Sequence, residues 1–317
     1  INYKKNILVN PYEHRFYLQL AQEYLISRKS LLEARSCKLA WELSKNNYES
    51  RVLLAQALMR INNYGLGLNF FEARTHLEPN NGTYPKEIER IYLLDQIKDS
   101  KTDKILVIGE MGRGDMIQFC RYAPLLKPYC NKILGIFPQD LIALFKSSNI
   151  FDEVYSLTKI FEIGRAKWIP CVSIAKLFKA SKTHPIINKQ YLYLNYKIEE
   201  KWNDLICTED SSSIIICLNW SAQRWEKEYY GTDSRNINIE SLSPLSNIPG
   251  VRFCSVQKGQ SQALWENCSF KDKFIKSQKL IDQTHSFEIT AAILKTSFAC
   301  VTVDTSVAHL SGGLGVA

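Results

Sequence analysis

Apolar residues in the first third of the chain recur at the spacing of amphipathic helices, and the pattern repeats after 34 residues. Ala21 recurs as Ala55, and Leu43 recurs as Leu77. Small residues at matching positions let paired helices approach closely, and each pair needs a neighbour to bury its apolar face. The pattern predicts helices over 14–98: two helical hairpins followed by a third helix at 84–97.

A repeat of 34 residues resembles that of the tetratricopeptide family, in which each repeat is a helix–turn–helix. The aromatic and glycine positions of that family are degenerate in this sequence. The resemblance implies an all-α tetratricopeptide solenoid segment over 1–98, with earlier repeats expected before Ile1.

From Lys104 onward, short apolar runs alternate with helical stretches, and this alternation predicts parallel sheets with right-handed crossovers. We expect two consecutive α/β units, 99–208 and 209–317, with a ligand cleft between them. The stretch 168–193 contains prolines and receives no assignment. The predicted strands are 105–108, 132–137, 153–155, 213–218, 251–256 and 298–303, and the predicted helices are 116–126, 141–146, 197–207, 239–246 and 286–294.

Composition narrows the class of protein. The chain has 317 residues, of which 45% are hydrophobic and 23% charged, as in ordinary globular domains. Nine scattered cysteines without metal-ligand spacing favour reduced thiols and no metal site, and no apolar run approaches the ~20 residues that span a bilayer. We therefore expect a cytoplasmic protein. The net charge of +8 is dispersed, which favours a small anionic ligand over nucleic acid.

The last apolar run leads into a polar helix start. Asp304, Thr305 and Ser306 offer N-cap chemistry directly after the strand, and His309 follows one helical turn later. A helix start after a strand of an α/β sheet favours phosphate groups. The chain ends shortly after this helix and begins at Ile1, so we expect it to be a piece of a longer protein.

A glycine-rich segment, Gly109–Asp115, follows the first predicted strand. Gly112 and Gly114 permit a tight turn, but the spacing does not fit a dinucleotide fingerprint, which disfavours a nicotinamide-dependent oxidoreductase. Asp115 has two open interpretations: an N-cap for the next helix, or a carboxylate that accepts a proton from an attacking hydroxyl.

The next two predicted strands also end in polar residues. Ligands bind at the carboxyl ends of parallel strands, where nearby cations neutralise phosphate. For Arg224 and Lys227 a solvated loop is the stronger interpretation. The candidate ligand residues at these strand ends are Asn219, Ser221, Arg235, Gln257 and Lys258.

Together these motifs resemble the heptosyltransferase-type glycosyltransferases of the GT-B fold, especially bacterial relatives fused to tetratricopeptide repeats. The resemblance covers about 103–317 and includes Gln118. It departs from the family at Arg113, where relatives often carry a small or apolar residue, and at Gly312-Gly313, which replaces a more alanine-rich run. It rests on Gly109–Phe119 with Arg121-Tyr122, Asn219-Trp220-Ser221, Arg235–Ile237, Pro249–Phe253 with Gln257-Lys258-Gly259, and Asp304–Leu310.

The resemblance implies a pair of Rossmann-like domains, the second one incomplete, that transfer a sugar from a nucleotide-diphosphate donor to an acceptor hydroxyl. It implies neither a metal nor a cofactor. Asp115 would be the general base, and Gly112, Gly114 and Gln118 would form the phosphate or acceptor loop. The donor would bind Asn219, Ser221, Arg235, Gln257, Lys258, Asp304, Thr305, Ser306 and His309.

The implied acceptor is a glycan, a lipid-linked precursor or a protein, and the repeats would offer a surface for a protein partner. The alternative is a non-catalytic repeat scaffold that retains a vestigial nucleotide-sugar site.

Overall fold

A computed structural model describes residues 2–77, 84–98, 102–181, 183–184, 187–207, 213–222 and 235–317. Arg224 and Lys227 lie outside the described residues.

The N-terminal part is a helical segment, residues 2–77, in which successive helices pack on one another. Asn47 begins one of them by accepting a hydrogen bond from the Ser50 backbone N–H (2.7 Å), as an N-cap residue does. From α2 to α4 and from α3 to α5 the helix starts are 34 residues apart. The bounds are α1 Asn2–Val9, α2 His14–Ile26, α3 Ser30–Leu43, α4 Tyr48–Arg60 and α5 Tyr64–Phe71, followed by a 3-10 turn at Glu72–His76.

The predicted helix over 84–97 is wrong. This stretch holds a two-residue strand, β1 (Glu89–Arg90), and one turn of helix, α6 (Asp95–Lys98). The Trp168 indole N–H donates to the Ile88 carbonyl (2.9 Å), and Ile91 N–H donates to the Trp168 carbonyl (2.8 Å). Pairing with the neighbouring sheet thus overrides the local helical pattern.

The first α/β unit contains a five-stranded parallel sheet with the order β1-β5-β2-β3-β4. The predicted helix over 116–126 begins earlier and ends earlier, because Pro124 and Pro128 favour a 3-10 turn over Cys120–Tyr129. The unassigned stretch supplies β5 and α9. The bounds are β2 Thr102–Ile108, α7 Arg113–Phe119, β3 Cys130–Phe137, α8 Gln139–Ser147, β4 Glu153–Ser156, β5 Lys167–Pro170, α9 Ser173–Leu177 and α10 Tyr196–Cys207.

The second unit contains a three-stranded parallel sheet with the order β7-β6-β8. Its strands and main helices follow the predicted ones, except that 239–246 is a 3-10 turn, Ile239–Asn247, interrupted by Pro244. The bounds are β6 Ile214–Asn219, β7 Val251–Ser255, α11 Gln278–Asp282, α12 Phe287–Lys295, β8 Ala299–Thr302 and α13 Ser306–Leu314.

The two units share one apolar core. A single cluster of buried side chains includes Ile117 of α7, Phe145 of α8, Ile293 of α12 and Leu310 of α13. Helix α7 packs on α13, and α8 and α10 both pack on α12. These contacts hold the carboxyl ends of the two sets of strands beside a common cleft. The domain boundaries after residues 98 and 208 stay predictions.

No helix among the described residues is both long and apolar enough to cross a lipid bilayer. The described ranges also contain no group of three or more histidine, cysteine, aspartate or glutamate side chains placed to hold a metal ion.

Candidate functional site

A cleft of about 590 Å³ lies between the two units at the carboxyl ends of β2, β6, β7 and β8. Its volume falls in the usual range for small-molecule sites. Of the predicted site residues, all except Gln118 line it. The lining includes Gly112, Gly114, Asp115, Asn219, Ser221, Arg235, Gln257, Lys258, Asp304, Thr305, Ser306 and His309.

Asp115 lies in the first turn of α7, on the N-terminal wall of the cleft. Its Oδ2 accepts a hydrogen bond from the Gly112 backbone N–H (3.0 Å), so the carboxylate ties down the start of its own helix. Burial raises the pKa of Asp115 above its ordinary value, and the hydrogen bond from Gly112 opposes this shift. A carboxyl group with a raised pKa is a stronger base when it is ionised. Both interpretations of Asp115 are therefore compatible with its geometry.

Gly114 is the closest point between the two walls. A Cβ atom added there would lie 2.7 Å from Cδ2 of His309 and 3.3 Å from Cα of Ser306. Only a residue without a side chain lets the start of α7 approach the start of α13 this closely. The contact places Asp115 and His309 on facing helices of one cleft.

The start of α13 forms part of the C-terminal wall. Thr305 is the N-cap, and its hydroxyl accepts from the Val307 backbone N–H (3.2 Å). Ser306 opens the helix beside it, and the first N–H groups of a helix have no partner within the helix. Burial lowers the pKa of His309, which keeps its ring neutral at pH 7. This wall suits an anion.

Gln257 and Asn219 bind the protein itself, which the sequence did not reveal. Gln257 Oε1 accepts from Asn219 Nδ2 (3.0 Å) and from the backbone N–H groups of Trp220 (3.1 Å) and Ser221 (2.9 Å). Asn219 Oδ1 accepts from the Thr305 hydroxyl (2.9 Å). Both side chains are almost fully buried. Their amides join the ends of β6, β7 and β8, and so hold the residues that face the cleft.

Lys258 also has a partner in the protein. Its Nζ donates to the Ile281 carbonyl (2.7 Å), and burial lowers the pKa of the amine. Arg235 Nη1 donates to the Asp304 carbonyl (3.3 Å), and the Ser221 hydroxyl accepts from that of Ser261 (3.2 Å). Arg235 therefore remains beside the helix start as a cation, whereas Lys258 is engaged away from it.

Several residues that line the cleft were missed. Asp140, in the first turn of α8, pairs with Arg113 through an Nε–Oδ2 contact of 2.9 Å. Asp140 follows the carboxyl end of β3, so the rule that selected Asp115 also applied to it. The other missed residues, His285, Ser286, Phe287 and Thr290, belong to the start of α12, whose Ser286 N-cap was the available signal.

The sequence was compared with known proteins. No protein-family model and no curated protein matches it. Among solved structures, the chain is similar to a glycosyl transferase family 9 protein from Veillonella parvula, with 12% identity and a TM-score of 0.49 over 68% of this chain and 78% of that one. It is also similar to the ADP-heptose lps heptosyltransferase II of E. coli, with 12% identity and a TM-score of 0.46 over 67% of this chain and 82% of that one.

Proposed function

We propose that this protein is a glycosyltransferase that moves a sugar from a nucleotide-diphosphate donor to an acceptor hydroxyl. The observation that carries the proposal is the facing of Asp115 and the α13 helix start across one cleft. The motif resemblance to heptosyltransferase-type enzymes supports the same reaction, and the helix starts of 34-residue spacing support a tetratricopeptide character for the helical segment.

The proposed reaction is a displacement at the anomeric carbon. The acceptor oxygen forms a bond to that carbon, the bond from the carbon to the diphosphate oxygen breaks, and the acceptor proton passes to the Asp115 carboxylate. The diphosphate leaves against the start of α13, where Ser306 and the helix dipole stabilise its developing negative charge. Arg235 adds a positive charge at the same place.

The structure divides the predicted donor residues into two groups. Ser221, Arg235, Asp304, Ser306 and His309 would contact the donor. Thr305, Asn219, Gln257 and Lys258 would hold those residues in place, because their polar groups bond within the protein. In this proposal the helix start and Arg235 supply the charge stabilisation without a metal.

A panel of nucleotide sugars tests the proposal. Isothermal titration with several nucleoside-diphosphate sugars, in buffers with and without a chelator, should give heat with a preferred donor in both buffers. Incubation with that donor and candidate acceptors should release the nucleoside diphosphate. Absence of binding across the panel would favour the non-catalytic scaffold, and binding that disappears with the chelator would contradict metal independence.

A further inference from the structure

A buried ion pair joins the helical segment to the loop that leads to Asp115. Arg74 lies in the 3-10 turn after α5, and Glu110 lies two residues beyond the end of β2. Arg74 Nη2 lies 2.5 Å from Glu110 Oε1, and Arg74 Nε donates to Glu110 Oε2 at 3.1 Å. The Arg74 side chain is 3% exposed and that of Glu110 1%. The pair is therefore bidentate and almost completely removed from solvent.

Glu110 has further partners outside its own loop. Its Oε1 accepts from the Val172 backbone N–H (3.2 Å), and its Oε2 accepts from the Tyr84 hydroxyl (2.5 Å). Arg74 uses its remaining donors on the Phe71 carbonyl (3.1 Å) and the Ser173 hydroxyl (2.9 Å). One carboxylate thus connects the helical segment, the connector before β1, the start of α9 and the loop after β2.

The loop that carries Glu110 has a conformation that needs outside support. Met111 has a φ of 63°, in the left-handed region that non-glycine residues seldom adopt. Its side chain packs against the cluster of Ala55 and Phe71, which belong to the helical segment. Gly112, the next residue, donates its N–H to Asp115. The position of the Asp115 carboxylate therefore depends on this short loop.

Buried ion pairs add little net stability, because desolvation of the two charges offsets their attraction. A bidentate arginine–carboxylate pair does fix the relative orientation of the two groups. At this position the orientation that is fixed is that of residues 109–112 relative to the helical segment.

We propose that the helical segment is a structural part of the transfer site, and that Arg74 is a positioning residue that holds loop 109–112, and through it Asp115, in the reactive geometry. The inference rests on the proposed glycosyl transfer for its chemical consequence only. The coupling of Arg74 to the loop can be measured without any substrate.

The test compares Arg74→Gln and Arg74→Lys with Arg60→Gln. Arg60 pairs with Glu33 inside the helical segment and is a matched control, since the same substitution removes a two-nitrogen contact far from the loop. Hydrogen–deuterium exchange should be at least about tenfold faster over 109–119 in Arg74→Gln and unchanged over 130–137. The turnover number should fall about tenfold or more while the KM for the donor stays within about twofold.

The conservative and neutral variants complete the test. Arg74→Lys should give intermediate turnover, because it keeps the charge but not the fork of donors. If Arg74→Gln does not fold, the double variant Arg74→Met/Glu110→Gln leaves no unpaired charge and should show the same rise in exchange. Wild-type exchange over 109–119 in any folded variant that lacks Arg74 would overturn the proposal. If the wild-type protein transfers no sugar, faster exchange over 109–119 still supports the coupling, and the proposed function alone fails.

Discussion

The two walls of the cleft are built from similar residues and differ in what those residues bind. On the N-terminal wall, Asp115 makes one hydrogen bond to its own loop, and Gly112 and Gly114 leave space beside it. On the C-terminal wall, Gln257 and Asn219 use their polar atoms on neighbouring strands. The first wall therefore offers a reactive group, and the second offers a rigid frame around a helix start. Polar residues at strand ends can serve either purpose, and only their partners distinguish the two.

The sharpest test of this contrast is Asp115→Asn. The amide keeps an acceptor for the Gly112 N–H but cannot take a proton, so turnover should fall by about 10²- to 10⁴-fold. Donor affinity measured by calorimetry should stay within about twofold. Asp140→Asn, which neutralises another carboxylate of the same cleft, is the control. A large loss in Asp140→Asn with normal turnover in Asp115→Asn would transfer the base role to Asp140.

On the opposite wall, Gln257→Ala should act on stability. The substitution leaves Asn219 and the backbone N–H groups of Trp220 and Ser221 without their shared acceptor. The free energy of unfolding should fall by about 3 kcal/mol, since each buried unsatisfied group costs about 1–3 kcal/mol. Urea unfolding measures this, with Gln262→Ala as the control because Gln262 donates a single bond to the Asp282 carbonyl. An equal loss in both variants would show that Gln257 is not special.

Gly114→Ala tests the contact between the walls. The added methyl group would displace His309 or move α7 away from α13, at a cost of about 1–3 kcal/mol, and turnover should fall as the two helix starts separate. Gly312→Ala in α13 is the control, because a Cβ there meets no atom within 4 Å. It should raise the free energy of unfolding by up to about 1 kcal/mol. Equal effects of the two variants would argue against close packing at Gly114.

A smaller effect concerns pH. The pKa of Asp115 in the folded protein is raised above its ordinary value of 3.8. The folded state therefore binds its proton more tightly than the unfolded state, so the ionised carboxylate lowers stability at pH 7 and has no such effect below the ordinary value. Asp115→Asn should melt a few degrees higher than wild type at pH 7, with a gain that shrinks toward pH 4.

Calorimetric melting at both pH values measures this difference. Asp140→Asn should show no gain at pH 7, because it loses the ion pair with Arg113. A gain for Asp115→Asn that increases toward low pH would contradict the direction of the shift.

The strands and the site location were predictable because both follow from local signals. Isoleucine-rich runs such as 214–216 form buried parallel strands, and polar residues after such strands meet at one edge of the sheets. The strand β1 was not predictable, because its pairing depends on Trp168, almost 80 residues away. The partners of Gln257 and Glu110 were also hidden, since amide and carboxylate groups carry no sign of what they will bind.

The contact at Gly114 has an energetic consequence. It brings together the starts of α7 and α13, and each helix start carries about half a positive charge. Two like dipole ends repel, and the Asp115 carboxylate compensates part of that repulsion. An anion bound between the helix starts would compensate more, so that its binding energy would also hold the two units together. The cleft is thus a joint whose strength depends on the charge of its occupant, and an anionic ligand would serve as the bolt as well as the substrate.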